Sequence, residues 1–142
     1  MINSFRGKHS FLSNFYYSPI TYEGIFYPTA EHMFQAMKTN DNTIRKYIAN
    51  LTTPSQAKTF GHKILLREDW EKFKVNAMKI VLKNKFHVYE LREMLLETKD
   101  EKLVEGNTWN DIFWGIDIKT GKGENNLGKL LMEVRSECRS SE

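Results

Sequence analysis

Residues 27–38 read Tyr27-Pro-Thr-Ala-Glu-His-Met-Phe-Gln-Ala-Met-Lys38, and inside this segment a strand pattern changes to a helical one. Before it, residues 19–27 place strand-forming side chains on both sides of the pair Glu23-Gly24, which predicts a β-hairpin. Thr29 then predicts the start of a helix that ends near residue 39, because its hydroxyl can accept from the first unpaired amides. The expected beginning of the fold is a small β element followed at once by helix.

The remainder of the chain is mostly helical in pattern. Thr53-Pro-Ser-Gln56 has the form of a capping box with proline at the first helical position, and the helix that it begins should stop at Gly61. Further helices are predicted over residues 45–51, 70–86, 88–97 and 126–137, whereas residues 103–124 should be mostly loop and the tail from about residue 136 frayed. The expected fold class is α-rich α+β, a single compact, mostly helical domain with a small N-terminal β element.

Length and composition favour one folded, water-soluble unit. The 142 residues suit one domain over residues 1–142, and 40% hydrophobic with 13% aromatic content excludes a disordered or collagen-like chain. No apolar run approaches the roughly 20 residues of a membrane span, and the first residues lack the apolar block of a signal peptide. A cytoplasmic protein without a membrane partner is expected, and its oligomeric state stays open.

Charge and metal-ligating residues narrow the function classes. A formal charge of +3 is too small to identify a general nucleic-acid binder, but it is compatible with one local phosphate site. The only cysteine, Cys138, allows neither an intrachain disulfide nor a cysteine-based zinc site, and the 4 histidines show no metal-binding spacing. We therefore expect no metal and no cofactor.

The first candidate site lies on the helix predicted after Thr29. An apolar stripe on this helix faces the core, and a polar stripe made of Glu31, Gln35 and Lys38 lies directly beside it. Polar residues at the border of a buried face can line a pocket, and its place in the first helical turn favours the charged form of Glu31. The same spacing also fits a solvated helix flank with a weak pair between Glu31 and Lys38, so spacing alone leaves both interpretations open.

The second candidate site is the predicted loop over residues 104–115, which reads Val-Glu-Gly-Asn-Thr-Trp-Asn-Asp-Ile-Phe-Trp-Gly. The indole faces of Trp109 and Trp114 suit stacking on a base. A carboxylate such as Asp111 near that stack can stabilise an oxocarbenium-like sugar or activate water, as cleavage of a glycosidic bond requires. The alternative is that the aromatic residues anchor a core and that Asp111 forms a turn or a cap.

A third feature is the glycine-containing segment over residues 121–128, around Asn125 and ahead of the last predicted helix. A flexible turn that leads into a helix N-terminus can hold a phosphate. The segment matches neither the Rossmann nor the P-loop pattern, so a plain glycine loop fits it equally well.

Several short motifs follow one another along nearly the whole chain. The longest are residues 27–38, Asn110-Asp-Ile-Phe-Trp-Gly115 and Asn125-Asn-Leu-Gly-Lys-Leu-Leu-Met-Glu-Val-Arg135. The shorter ones are Phe11-Leu-Ser-Asn-Phe15, Leu66-Arg-Glu-Asp-Trp70, Lys85-Phe86 and Leu103-Val-Glu105. In this order the motifs resemble those of the NADAR family, also called YbiA-like.

The resemblance implies a mostly helical domain with a pocket for ribosyl phosphates and a metal-independent N-glycosidase or ADP-ribosyl-hydrolase activity. Members of the family act on ribosylaminopyrimidine phosphates of early riboflavin synthesis, or remove ADP-ribose from guanine, so ADP-ribosylated DNA or RNA is a possible substrate. In both cases an amino nitrogen is bonded to ribose C1. Because such a bond can open to an imine, a neutral lysine amine can attack C1 and form a Schiff base.

By position in the family motifs, the resemblance implies two sets of site residues. The catalytic residues are Lys38 as the candidate nucleophile, with Glu31 and Asp111. The substrate-binding residues are Ser13, Asn14, Gln35, Arg67, Glu105, Trp109, Trp114 and Asn125. The chain departs from the family at His62, where members often have an arginine, and the family varies at Trp109.

Two other functions compete with the enzyme. A non-catalytic module that binds NAD or ADP-ribose would use the same stacking and phosphate-binding groups, and turnover distinguishes it from an N-glycosidase. The remaining alternative is a structural domain in which these residues only pack or cap.

Overall fold

The computed structural model describes residues 1–141, which fold as two compact units. The central unit consists of residues 14–85, and the terminal unit combines residues 1–13 with the residues from 86 onward. Most of the regular structure is helical, and the strands form two small sheets of two strands each. The mostly helical α+β fold class is thus confirmed, whereas a single domain over residues 1–142 stays a prediction.

The central unit begins with a β-hairpin and continues as helices. Strands β1 (Tyr17–Tyr22) and β2 (Ile25–Thr29) pair in antiparallel orientation. The helices are α1 (Ala30–Ala36), α2 (Asn42–Ala49), α3 (Pro54–Gly61) and α4 (Trp70–Lys85). Helix α1 contacts α2, α3 and α4, so side chains on α1 are surrounded by the rest of this unit.

The hairpin forms where the sequence predicted it. Glu23 and Gly24 have φ angles of 48° and 80°, and a tight two-residue hairpin turn of type I′ requires positive φ at both positions. Alternate side chains of the strands, including Ile20, Ile25 and Tyr27, are buried. Strand β2 therefore has one buried face, and the chain continues from it directly into α1.

Side-chain caps set the first residues of three helices. The hydroxyl of Thr29 accepts from the His32 amide at 3.1 Å, which confirms the predicted cap of α1. Thr53 and Gln56 make the two reciprocal bonds of the predicted capping box, both at 3.1 Å. The carboxylate of Asp41 caps α2, a signal that our sequence analysis missed.

The terminal unit contains a 3₁₀ helix (Gly7–Leu12), α5 (Tyr89–Leu96) and α6 (Asn126–Ser140). Two short parallel strands, β3 (Gly106–Asn107) and β4 (Ile116–Asp117), interrupt the segment expected to be mostly loop. Fully buried leucines of this unit include Leu12, Leu95, Leu103 and Leu131. Across residues 1–141, none of the helices has both the length and the apolar character needed to cross a membrane.

Some predicted helix limits are corrected. Helix α1 ends at Ala36 rather than near residue 39, because the amides of Lys38 and Thr39 bond to carbonyls only three residues earlier. Helix α2 begins at Asn42 because Asp41 caps it, and α6 extends to Ser140 instead of ending at residue 137. Fraying of the tail from residue 136 stays a prediction, and its last residue, Glu142, lies outside the described residues.

His32 fixes the middle of the central unit. It is fully buried, with Nδ1 2.7 Å from the Thr29 hydroxyl and Nε2 2.9 Å from the Leu51 carbonyl. Because a carbonyl only accepts, Nε2 carries a proton. Burial lowers the pKa of His32, against a smaller opposing effect of the Leu51 carbonyl, and so favours the neutral ring, in which Nδ1 accepts from the Thr29 hydroxyl.

Acid should therefore destabilise the fold through His32. An unfolded histidine binds a proton below about pH 6.5, whereas the buried ring resists protonation, so the unfolding free energy falls as the pH drops below that value. One such group contributes at most about 1.4 kcal/mol per pH unit. Urea unfolding between about pH 7 and pH 5 should show a smaller pH dependence for His32→Gln than for the wild type. Equal slopes would contradict this role.

Candidate active site

The polar face of α1 is buried. Glu31, Gln35 and Lys38 expose only 8%, 3% and 8% of their surface. Burial follows from position, because α1 contacts three other helices of the central unit. The interpretation of this face as a solvated flank is therefore wrong, and the three polar groups must find their partners inside the protein or in a ligand.

Three of the predicted site residues, Asn14, Glu31 and Gln35, lie together at α1. The Gln35 side chain donates from Nε2 to Oε2 of Glu31 at 2.6 Å. The Glu31 amide donates to the Asn14 carbonyl at 3.0 Å, and the Asn14 side chain, also buried, donates to Sδ of Met78 at 3.3 Å. The Asn14 Oδ1 is buried and has no hydrogen-bond partner within residues 1–141.

Lys38 presents a buried amine at the end of the same face. Its Nζ donates to the Gly61 carbonyl at 3.3 Å. Burial lowers the pKa of Lys38, the Glu31 carboxylate opposes that shift, and Lys58 adds to it. Burial also lowers the pKa of His62, at the end of α3, and Lys38 and Lys58 lower it further. The neutral, nucleophilic form of Lys38 is thus more accessible than that of an exposed lysine.

Arg67 is tied to Lys38 through its backbone rather than its side chain. Its amide donates to the Lys38 carbonyl at 2.8 Å. The guanidinium bonds to both carboxylate oxygens of Asp69, at 2.6 and 3.2 Å, and lies 4.2 Å from the ring centre of Phe73. A phosphate bound at Arg67 would therefore have to share the guanidinium with Asp69.

In the terminal unit, Asn107 organises the loop that carries the predicted carboxylate. Its side chain donates to the Asp111 carbonyl at 2.9 Å and accepts from the Asp111 amide at 3.0 Å. Oδ1 of Asp111 in turn accepts from the amides of Phe113 and Trp114, at 3.2 and 2.9 Å. One carboxylate oxygen of Asp111 therefore holds the loop, and the other lies outside this turn.

The two predicted tryptophans differ in surroundings. Trp109 is 54% exposed, so one face of its indole is accessible to a stacking partner. Trp114 is half-buried, and its ring meets that of Phe113 edge to face with centroids 4.8 Å apart. Of the two, Trp109 is the better placed to stack on a base, and Trp114 serves the packing of its own loop.

Asn125 and Glu105 are also brought together. The Asn125 amide accepts from the Glu105 amide and donates to the Leu103 carbonyl, both at 3.0 Å. Both ends of its side chain are thereby used to hold the backbone on which Glu105 lies. Ser13 lies at the end of the 3₁₀ helix, where its amide donates to the Ser10 carbonyl at 2.9 Å.

Three residues that matter for this geometry were not singled out by the sequence analysis. His32 links α1 to the Leu51 carbonyl, the Gly61 carbonyl accepts from Lys38, and the Asn107 side chain donates to the Asp111 carbonyl. Gly61 had been predicted only as the end of a helix, and no spacing rule distinguishes Asn107 from other loop residues. Their roles depend on contacts between distant segments, which no local pattern encodes.

Near α1, Glu31 supplies a carboxylate and Lys38 supplies an amine. No group of three or more histidine, cysteine, aspartate or glutamate side chains is placed to hold a metal ion in the part of the chain that the structure describes. The arrangement of Asn14, Glu31 and Lys38 suits an organic substrate that presents hydrogen-bond donors and an electrophilic carbon.

Comparison with known proteins identifies the family of this chain. The family model for the NADAR domain matches residues 3–139. The N-glycosidase YbiA of Escherichia coli strain K12 is 44% identical over 128 residues, which cover 88% of this chain and 79% of that protein. An N-glycosidase of Nostoc punctiforme is 38% identical over 90% of this chain and 85% of its own length.

A larger relative and a solved structure extend the comparison. A riboflavin biosynthesis protein of Vibrio vulnificus is 36% identical over 92% of this chain, which corresponds to only 36% of that protein. The NMR structure of YbiA from Escherichia coli superposes with a TM-score of 0.86 at 38% identity, covering 99% of this chain and 86% of that chain. Sequence and structure agree, and the chain belongs to the NADAR domain family.

Proposed function

We propose that this protein is an N-glycosidase that cleaves the bond between ribose C1 and an amino nitrogen. The observation that carries the proposal is the buried Lys38 amine beside the Glu31–Gln35 pair on α1. Relatives named N-glycosidase, which this chain matches over most of its length, support the same class of reaction. The enzyme is a hydrolase acting on N-glycosyl bonds.

Lys38 supplies the nucleophile in the proposed mechanism. The substrate opens when its glycosidic nitrogen forms a double bond to C1 and the ring oxygen takes a proton. Neutral Nζ adds to C1, and both of its protons pass to the glycosidic nitrogen, one on addition and one on departure, so that the amine leaves as the neutral lysine imine forms. Water then adds to C1, the imine breaks, and the free sugar and the Lys38 amine are released. The net reaction consumes one water molecule.

Glu31 moves the protons in this scheme, and Gln35 holds it in place. Its carboxylate lies close enough to Lys38 to influence that residue's pKa, and it can take the proton that Nζ loses on addition. The 2.6 Å bond from Gln35 to Oε2 holds this carboxylate in position. Asn14, whose backbone carbonyl accepts from the Glu31 amide, is assigned to substrate binding as part of the same proposal.

Residues of the terminal unit are assigned to substrate recognition as part of the same proposal. The exposed face of Trp109 stacks on the base, and Trp114, Glu105 and Asn125 shape the loop segments around it. Asp111 contributes a carboxylate that stabilises positive charge on the sugar or moves a proton. Ser13 and Arg67 are proposed to donate hydrogen bonds to a substrate phosphate, and at Arg67 the phosphate would compete with the Asp69 carboxylate.

The catalytic role of the Asp111 carboxylate can be separated from its structural role in the loop. Asparagine keeps the oxygen that accepts from Phe113 and Trp114 but has no charge. We expect Asp111→Asn to lower kcat by about a hundredfold, the usual contribution of a general acid or base, with an unchanged Tm. Asp111→Ala removes the turn as well and should also lower Tm. If Asp111→Asn turns over at the wild-type rate, the residue only structures the loop.

Two substrate classes fit the proposal, and one experiment distinguishes them. The protein is incubated in parallel with a ribosylaminopyrimidine phosphate and with an oligonucleotide that carries ADP-ribosylated guanine, and the products are identified by mass spectrometry. Release from the pyrimidine alone indicates a metabolic N-glycosidase, and release from the oligonucleotide alone indicates a nucleic-acid ADP-ribosyl hydrolase. If neither bond breaks while ADP-ribose raises Tm, the protein is a non-catalytic binding module and the proposal fails.

A further inference from the structure

Gly61 occupies a position where glycine is not needed by the backbone. It is the last residue of α3, and it is not among the glycines with a positive φ. A glycine in a helix costs stability relative to alanine, because its backbone loses more freedom on folding. The reason for a glycine here must therefore lie in what surrounds its Cα.

The space beside Gly61 is filled by the side-chain amide of Gln35. A Cβ added to Gly61 would overlap Oε1 of Gln35, and it would lie 2.7 Å from Cδ and 3.2 Å from Cβ of the same residue. Real Cβ atoms do not approach other heavy atoms so closely, so any larger residue would push the Gln35 side chain away. The missing side chain is what lets α1 and α3 meet at this point.

This contact determines how the Gln35 amide is oriented. Oε1 is buried against Gly61 and has no hydrogen-bond partner in the described part of the chain. Nε2 consequently points to Glu31, to which it donates at 2.6 Å. The bond from Gln35 to the Glu31 carboxylate therefore depends on the absence of a side chain at Gly61.

Gly61 also contacts the nucleophile, through its carbonyl. Nζ of Lys38 donates to this oxygen at 3.3 Å, and a carbonyl can accept from a neutral amine as well as from an ammonium group. Such a bond directs one N–H toward α3 and leaves the lone pair of the neutral amine pointing elsewhere. One residue thus contacts both Gln35 and Lys38.

We propose that Gly61 is a positioning residue for the N-glycosidase reaction: its lack of a side chain seats Gln35 against Glu31, and its carbonyl orients the Lys38 amine. The inference rests on the proposed function. It assigns to α3 a role in aligning the reacting groups of α1, which act only when held in the correct geometry.

The test is Gly61→Ala, which keeps the carbonyl and adds only the methyl group. With the substrate that the wild type cleaves, we expect kcat to fall at least about tenfold, with a smaller change in KM, because misplacement of the reacting groups affects the chemical step. Thr59→Ala is the matched control, since Thr59 is exposed on the same helix. Its kcat should equal that of the wild type.

A double-mutant cycle with Gln35→Ala separates this role from general destabilisation. If Gly61 acts through Gln35, adding Gly61→Ala to Gln35→Ala should change kcat by less than about twofold. An equal loss in both backgrounds, or a wild-type kcat for Gly61→Ala, would overturn the proposal.

A stability measurement tests the contact without any substrate. In the Gln35→Ala background only Cβ of residue 35 remains near the added methyl group, at 3.2 Å, a contact that a shift of a few tenths of an ångström relieves. Alanine should then raise Tm by about 3 °C through its better helix propensity. In the wild-type background the same change should leave Tm unchanged or lower it. The same increase in both backgrounds would show that Gln35 does not need the space. If the wild type cleaves no substrate but the Tm values differ between the two backgrounds as expected, the proposed function is wrong and the packing of Gln35 against Gly61 is still supported.

Discussion

Replacing Lys38 with alanine is expected to lower kcat by about a thousandfold or more, because the change removes the amine that attacks ribose C1. The fold should survive, since Lys38 follows the last turn of α1 and makes its side-chain bond to a helix-end carbonyl. Steady-state turnover and thermal unfolding of the same preparations check both statements. Wild-type turnover of Lys38→Ala would exclude the nucleophile.

Lys38→Arg separates nucleophilic from electrostatic catalysis. The guanidinium keeps the positive charge but is never neutral near physiological pH, so it cannot form an imine. If Lys38 acts as a nucleophile, Lys38→Arg should be as inactive as Lys38→Ala. If it only stabilises negative charge, Lys38→Arg should retain a large part of the activity, and the covalent mechanism would be wrong.

Loss of the Glu31 charge is expected to have the second-largest effect. Glutamine at this position can still accept from Gln35 but cannot take a proton, so Glu31→Gln should lower kcat by about a hundredfold with little change in Tm. Glu71→Gln is the matched control, because Glu71 is an exposed acid whose pair with Lys74 lies at the surface. Equal losses for the two variants would mean that Glu31 has no specific role.

The pH dependence of kcat/KM provides a second test of Glu31→Gln. Burial lowers the pKa of Lys38, and the Glu31 carboxylate partly reverses that effect by favouring the ammonium form. Removing the carboxylate lowers the pKa further, so the acid limb of kcat/KM should move to lower pH even though the plateau falls. Lys58→Met removes a neighbour that lowers the same pKa, and its acid limb should move to higher pH. Shifts in the same direction would contradict the assignment of this limb to Lys38.

The sequence predicts local structure well wherever a local signal is complete. The Glu23-Gly24 turn and the Thr53–Gln56 capping box are both found as expected, because each depends on residues close together in the chain. The length of α1 was overestimated because nothing in the residues up to Lys38 forbids another helical turn. The chain instead turns after Ala36.

The candidate site could be predicted only in part from the sequence. Helical spacing places Glu31, Gln35 and Lys38 on one face, but it does not reveal that this face is buried, since burial depends on α2, α3 and α4 packing around α1. Spacing also suggests a pair between Glu31 and Lys38, and the Glu31 carboxylate does act on the pKa of Lys38. Spacing does not reveal that Gln35 donates to Glu31 or that Lys38 donates to the Gly61 carbonyl. The bond of Lys38 to Gly61 joins two segments more than twenty residues apart, so helical spacing cannot predict it.

The loop at Asp111 shows the same limit. Its tryptophans and carboxylate are visible in the sequence, but the hydrogen bonds that close it come from Asn107, a residue with no distinguishing pattern. Asn125 likewise looks like part of a flexible glycine segment and is instead a buried clamp between Leu103 and Glu105. Asparagine side chains of this kind are recognised only when both of their bonding partners are known.

The central claim, that Lys38 forms an imine with ribose C1, is tested most directly by trapping it. Borohydride added during turnover reduces a lysine imine to a stable amine, and intact-protein mass spectrometry followed by peptide mapping locates the sugar. We expect one sugar adduct per chain on Lys38 in the wild type and none in Lys38→Arg. Full turnover in the presence of borohydride without an adduct, or with the sugar on another residue, would contradict it.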